Sequence, residues 1–298
     1  MVDPPVAYIV MAHTDPGHVR RLIRALPDGP VFLHCDSSTP TRVFSAMVEG
    51  VGRPVVLLPR RRTRWGSWAI VMAEIDGYRA ALRRGVRHCV LLSGSDYPLA
   101  PKEAIASTLA ALPEAASLLD LHPLPRADWG PTGGYFRLYH RWATIRGRSV
   151  RPFWRRSLLP GLRYTSASQW KVISRAHAEA LIRVVDGTPD VRRFFSGALV
   201  PDELFVATVL QSEVLVGSLT NSVIDWPAWF IDWPVRGADH PRWLQEGDLL
   251  ALLEAAAGSR PALFGRKISA TSTPGLVAAL DRHARQLEEA AGPRQFMP

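Results

Sequence analysis

The chain has 298 residues, 47% hydrophobic and 21% charged, with a formal net charge of +9 and only two cysteines. That length suits one large α/β domain or two fused lobes with a substantial core, which excludes a wholly disordered chain, and the absence of any run of eighteen apolar residues excludes a membrane-spanning helix. Cys35 and Cys89 each sit in an apolar run, which excludes a disulfide framework or a zinc site and fits two reduced core residues in a cytosolic protein.

Residues 1–5 carry no basic region ahead of an apolar core, so no secretory leader is expected. Ala7–Ala12 reads as a buried parallel strand, followed by a loop over His13–Gly17. Val19, Leu22, Ile23 and Leu26 set a helical stripe over His18–Leu26. Pro30–His34 predicts a second strand ending at Cys35-Asp36-Ser37-Ser38. Thr41–Val48 predicts a helix and Val55–Leu58 a third strand. Ser67–Arg84 predicts a long helix with Ile70, Val71, Ile75, Tyr78 and Leu82 on its apolar side, and His88–Ser93 a fourth strand.

The second half is less regular. A helix is expected after Pro101, a strand over Ser117–Leu121 and another over Gln169–Ile173, with helices over Ala176–Asp186 and Asp202–Gln211, the latter opening on acids in its first turn. Asp248–Ala257 and Pro274–Ala291 supply the last two helices. Pro123–Tyr164 is rich in Arg, Pro and aromatics and has weak periodicity. No acidic residue stands between Asp128 and Glu179, and residues 129–178 hold nine arginines and Lys171. A strongly positive surface is expected there, suited to phosphates, an anionic polymer such as nucleic acid, or a membrane face.

Strands alternating with helices imply βαβ units, a mostly parallel Rossmann-like sheet and a ligand at the carboxyl ends of its strands. Those ends are His13-Thr14-Asp15, Asp36-Ser37-Ser38 and Ser93-Gly94-Ser95-Asp96. Neither a Gly-x-Gly-x-x-Gly nor a P-loop follows the first strand, and no Gly-x-Ser-x-Gly occurs, so dinucleotide, NTPase and serine-hydrolase readings are not supported.

Several segments stand in one order along the chain: AYIVMAHTDPGHVRRLIRAL, FLHCDSS, RWGSWAIVMAEIDGYRAAL, HCVLLSGSDYPL, SASQWKVIS, VPDELFVATVL, and FIDW, HPRWL and LFGRKIS. Together they resemble the core-2/I-branching β-1,6-N-acetylglucosaminyltransferase and peptide O-xylosyltransferase family, over about Ala7 to Ile268. The resemblance implies a GT-A fold, a UDP-sugar donor, inversion at the anomeric carbon and no metal cofactor. It implies a single domain over 1–298, with 1–125 as the nucleotide-sugar half and 126–298 as the acceptor and catalytic half.

Inverting transfer needs a base for the acceptor proton and a stabiliser for the leaving diphosphate. The sequence has no Asp-x-Asp to hold a metal, so cationic side chains would replace it. Glu203, in Pro201-Asp202-Glu203-Leu204, matches the family's catalytic base, with Asp202 read as a helix cap or orienting neighbour. Arg242 and Lys267 match the diphosphate-binding pair, with Arg266 as the neighbour most easily mistaken for Lys267. Asp36 resembles the acid that contacts uridine, although a strand-end Asp is often a turn former. His13 lies beside the expected base pocket, and Trp65, in the Arg64–Trp68 loop, beside the nucleotide. Asp96 and Tyr97 stand where a donor pocket is expected, Asp96 either bonding sugar hydroxyls or shaping the loop. Trp226, Trp229 and Trp233 either form an acceptor platform or pack in the core.

The sequence departs from the anchored, disulfide-bonded animal enzymes, which points to a cytoplasmic, bacterial-type member acting on a hydroxyl acceptor. N-acetylglucosamine and xylose both remain open as the donor sugar. Two other readings stand beside this one, a transferase acting on nucleic acid through the basic stretch and a non-catalytic nucleotide- or carbohydrate-binding module.

Overall fold

The computed structural model of the chain describes residues 6–145, 148–234 and 240–291. Strands β1 (Val6–Ala12), β2 (Val31–Cys35), β3 (Val55–Leu57) and β4 (His88–Ser93) alternate with helices α1 (Pro16–Ala25), α2 (Thr41–Ala46) and α3 (Trp68–Leu82). Then come β5 (Asp96–Pro98), α4 (Lys102–Ala110), β6 (Ser117–Leu119) and β7 (Leu121–Pro123). The Arg-rich stretch holds α5 (Phe136–Tyr139), β8 (Ala143–Ile145), β9 (Arg148–Val150) and β10 (Thr165–Ala167). β11 (Lys171–Ser174), α6 (Arg175–Gly187), α7 (Pro189–Ser196), α8 (Phe205–Gln211) and α9 (Glu213–Val216) follow. The chain closes with β12 (Val223–Asp225), β13 (Trp229–Ile231), α10 (Leu249–Ala257), β14 (Phe264–Arg266) and α11 (Pro274–Ala291).

The central sheet has seven strands in the order β12-β6-β11-β4-β1-β2-β3. All run parallel except β11, which is antiparallel to both β4 and β6. The sheet draws strands from both sides of residue 125. Its inner strands read as unbroken apolar runs because helices cover both faces. Side chains alternate across β1: Val6, Tyr8 and Val10 pack with α1 and α4, whereas Ala7 and Ile9 pack with α3, α6 and α8. Gly77 lets α3 approach closely, since a Cβ there would lie 2.7 Å from Cγ2 of Ile9. A third cluster joins Tyr97, Leu252, Leu276 and Leu280 under α10 and α11.

Three expectations need correction. The Ser117–Leu121 strand is two strands separated at Asp120, with β7 leaving the main sheet to pair with β10. The Asp202–Gln211 helix is a 3-10 turn over Pro201–Glu203 followed by α8, because Leu204 leaves helical geometry at φ −120°. The expected continuous basic surface is also divided: Arg137, Arg156 and Lys171 reach inward to protein partners.

Candidate active site

The parallel strands deliver His13 from β1 and Asp36 from β2 to one edge of the sheet. Burial, together with Arg266 and Lys267, lowers the His13 pKa, while the Asp36 charge works the other way. These four charged or titratable groups therefore share one electrostatic neighbourhood. Asp36 is engaged by the protein itself. Its Oδ1 accepts from Ser38 N (2.7 Å), and its Oδ2 accepts from Thr63 N (2.5 Å) and Thr63 Oγ1 (2.6 Å). Although burial opposes ionisation, these bonds bring its pKa down to about 2. Asp36 thus builds the turn that joins two loops at the mouth of the site.

Asp15, from the first of the polar strand ends, and His18 fasten the same edge to the C-terminal segment. Asp15 caps α1 by accepting from His18 N (3.1 Å) and also accepts from Ser269 Oγ (2.6 Å) and Thr271 Oγ1 (2.8 Å). His18 Nδ1 accepts from Ala270 N at 3.0 Å, so Nε2 carries the proton and donates to the Asp96 carbonyl at 3.0 Å.

Asp96 is buried and does not open into a donor pocket. Its carboxylate accepts from Ser93 N, Trp229 Nε1 and Arg266 Nη1 at 2.9, 3.0 and 3.0 Å. Of the two roles considered for it, the geometry holds the loop-shaping one. Tyr97 is likewise a core residue, its hydroxyl donating to Asp281 at 2.7 Å. Trp229 is buried and stacked on Phe264 with ring centres 5.1 Å apart, which removes it from an acceptor platform. Trp226 is half-buried and donates to the Pro261 carbonyl, whereas Trp233 is exposed. Arg266 is spent on Asp96 and on the Trp170 ring, 4.4 Å away, which separates it from Lys267.

Glu203 closes a strained turn. Val200, a β-branched residue, stands at φ 52° immediately before it. Gly66, at φ 64°, lies against that residue; an added Cβ would come within 3.3 Å of Val200 Cγ2. The half-exposed Glu203 carboxylate accepts from Arg137 Nη1 at 2.6 Å through Oε2, and Oε1 has no hydrogen-bond partner among the described residues. Arg137 in turn lies 4.0 Å above the Trp129 ring.

Asp202 is not a helix cap. It is buried behind Glu203, and its Oδ1 lacks a hydrogen-bond partner among the described residues. Burial first and the neighbouring Glu203 charge second push its pKa up to about 7, with Lys171 opposing and Glu74 adding to the rise. Lys171 Nζ pairs with Glu74 Oε1 at 3.0 Å in the core, and Tyr78 donates to the same oxygen at 2.6 Å.

The second half of the mouth comes from the 240–243 and 264–268 segments. Leu244 N donates to the Lys267 carbonyl at 2.8 Å, which sets the two segments side by side. Arg242 is gripped by two acids, donating to Asp232 at 2.7 Å and to both oxygens of Asp248 at 2.8 and 2.6 Å. These bonds, Asp248 first, raise its pKa. Lys267 has no carboxylate within ion-pair distance among the described residues and lies 5.7 Å from the Trp243 ring centre. Burial and then Arg266 lower its pKa. Exposed Trp65 meets His240 edge-on at 6.1 Å. The Trp65-Gly66 loop thus lies against both the Val200 turn that carries Glu203 and the segment that carries Arg242.

A hollow of about 280 Å³ opens beside this loop, lined by Arg62, Arg64, Ser67, Trp68, Trp142 and Leu199 among others. A larger one, about 690 Å³, lies at the opposite end of α8 between Arg163, Glu213 and Asn221. Its size does not make it the site, because the strand ends and the convergent charges are elsewhere.

A family model for the Core-2/I-Branching enzyme matches residues 6–251. The chain belongs to the Core-2/I-branching enzyme family. It is therefore a glycosyltransferase, and its large mixed sheet flanked by helices is a GT-A-like fold. Xylosyltransferase 2 from Pan troglodytes and from Homo sapiens are each 24% identical over 309 residues, covering 95% of this chain and 34% of those proteins. The Mus musculus protein is 25% identical over 208 residues, covering 64% of this chain and 22% of its own. The chain spans about a third or less of the length of these curated relatives.

Within this branching-family enzyme, Arg137 and Trp129, which flank Glu203, are the candidate-site residues that the sequence did not single out. The available signal was the cationic stretch itself; nothing local said that Arg137 would reach Glu203, 66 residues away. No single helix among the described residues is long and apolar enough to cross a membrane.

Proposed function

We propose that this enzyme transfers a sugar from a UDP-sugar to a hydroxyl acceptor in one inverting displacement, without a metal, Glu203 acting as general base. The observation that carries the reading is the Glu203 carboxylate, with Oε2 held by Arg137 and Oε1 without a hydrogen-bond partner among the described residues, on a turn that the Trp65-Gly66 loop connects to the segments bearing Arg242 and Lys267. The acceptor hydroxyl would give its proton to Oε1 as its oxygen bonds to the anomeric carbon. The bond from that carbon to the UDP oxygen breaks on the opposite face, and the electron pair leaves with the diphosphate.

Lys267 is the cation best placed for that charge, because Arg242 already serves Asp232 and Asp248. Arg242 then acts by holding the Asp232–Asp248 segment and, through the neighbouring backbone, Lys267, and it reaches the diphosphate only by sharing its guanidinium. Xylose is favoured as the donor sugar by the xylosyltransferase 2 relatives and N-acetylglucosamine by the family's name for core-2 branching. In this reading residues 1–125 bring the nucleotide edge, and 126–298 the base and acceptor side. The buried, unpaired Cys35 and Cys89 fit a reducing cytoplasm.

The test is calorimetric titration with UDP in the presence of EDTA, with dTDP and GDP as controls. Selective UDP binding that survives EDTA supports the metal-free uridine site. A requirement for added manganese removes the Lys267 argument, and the absence of any nucleotide binding removes the donor assignment.

A further inference from the structure

The segment after β9 is tied to α5 and leaves two aromatic side chains in water. Among the described residues Phe153 is the most exposed large apolar side chain, at 87%, and its neighbour Trp154 is 67% exposed. Their rings meet edge to face at 6.0 Å and form one apolar tip. The tip is held firmly from below. The ring of buried His140 donates from Nδ1 to the Trp154 carbonyl (3.2 Å) and accepts at Nε2 from Arg151 (3.1 Å). Arg156 N donates to the Tyr139 carbonyl at 2.7 Å, and its guanidinium donates to the carbonyls of Leu138 and Phe194.

Around this tip Arg141, Arg151 and Arg155 are exposed. Arg151 and Arg155 lie over the rings of Trp142 and Tyr139, at 5.6 and 5.1 Å. The surrounding sequence has no acid between Asp128 and Glu179. Two vicinal aromatics left in water and ringed by cations call for a partner that is apolar inside and anionic at its surface. Single-stranded nucleic acid stacks on ring faces along a groove, whereas these rings meet edge to face. A bilayer with anionic headgroups fits both halves: aromatic side chains settle at the interface, and arginines meet the lipid phosphates.

We propose that this tip docks the enzyme on an anionic lipid bilayer, with Phe153 and Trp154 entering the interface and Arg141, Arg151 and Arg155 contacting headgroup phosphates. The docking does not rest on the role given to Glu203.

The test is flotation of the full chain with phosphatidylcholine vesicles, with and without phosphatidylglycerol. The chain is expected to float with the anionic vesicles and to stay behind with the neutral ones. F153S/W154S, checked for an unchanged circular dichroism spectrum and Tm, should partition about tenfold more weakly. Brominated lipid should quench the wild-type tryptophan fluorescence more than that of W154F, which keeps the aromatic tip. Equal partitioning of wild type and F153S/W154S, or no flotation with anionic vesicles, overturns the proposal. So does tighter binding to a single-stranded oligonucleotide that is lost in F153S/W154S, which would assign the tip to nucleic acid.

Discussion

Arg137 donates to Oε2 of Glu203 across 2.6 Å while its guanidinium rests 4.0 Å from the centre of the Trp129 ring. The pair fixes one carboxylate oxygen and leaves the other without a hydrogen-bond partner among the described residues. It joins α5, a short helix in the Arg-rich stretch, to the strained Val200 turn.

Replacing Glu203 with Gln keeps the shape and the bond to Arg137 but removes the proton acceptor. Transfer should fall by about a hundred- to ten-thousand-fold, with UDP affinity nearly unchanged. Turnover close to wild type would remove Glu203 from the role of base.

Arg137→Ala releases the carboxylate and exposes the Trp129 face. The expected result is a fall in kcat of about tenfold or more, at constant UDP affinity, with partial recovery in Arg137→Lys. A change confined to UDP binding would place Arg137 on the donor side instead.

Lys267→Ala should weaken UDP binding by about tenfold or more and leave uridine binding unaltered, since charge-assisted bonds to phosphate are lost and none to the base. Arg242→Ala should lower Tm as well, because it strands Asp232 and Asp248. Equal losses for UDP and uridine in Lys267→Ala would show a general structural effect.

Asp202 has its pKa raised from 3.8 to about 7, so between those pH values the folded chain holds a proton that the unfolded chain has lost. Folding stability should therefore fall as pH rises through this window, by an amount on the order of a few kcal/mol. Asp202→Asn should flatten that part of the curve and be the more stable protein at pH 8. Parallel pH–stability curves for the two proteins, from denaturant melts, would contradict this assignment.

Lys171 and Glu74 form a core ion pair under Tyr78. Lys171→Met alone should cost about 3–5 kcal/mol by leaving a buried carboxylate uncompensated, whereas Glu74→Leu/Lys171→Met should cost clearly less. The single variant also removes a cation that favours ionised Asp202, so the pH slope above should shift further upward.

The first four sheet strands were legible because each is a short, unbroken apolar run bounded by turn residues, and β1 to β4 lie where those runs stand. What the sequence marks locally is position: His13 and Asp36 stand at the ends of β1 and β2, where the strand pattern sets them, and Glu203 closes the turn ahead of α8. The cap role offered for Asp202 fails because an acid at a helix start and an acid tucked beneath a 3-10 turn have the same sequence. Trp229 was ambiguous for a similar reason. Its partner Asp96 lies 133 residues away, and that bond alone turns both inward.

The sequence by itself determined the alternation of strands and helices, the polar strand ends and the family to which the chain belongs. Periodicity and local motifs suffice for these, because each depends on residues a few positions apart. Only the tertiary structure decided which charges are free and which are spent. Arg137 goes to Glu203, Arg266 to Asp96, Arg242 to two acids and Lys171 to Glu74, while Lys267 has no ion-pair partner among the described residues and Phe153 and Trp154 stay in water. A side chain's charge is written in its own residue, but its partner is set by the folding of distant segments against one sheet.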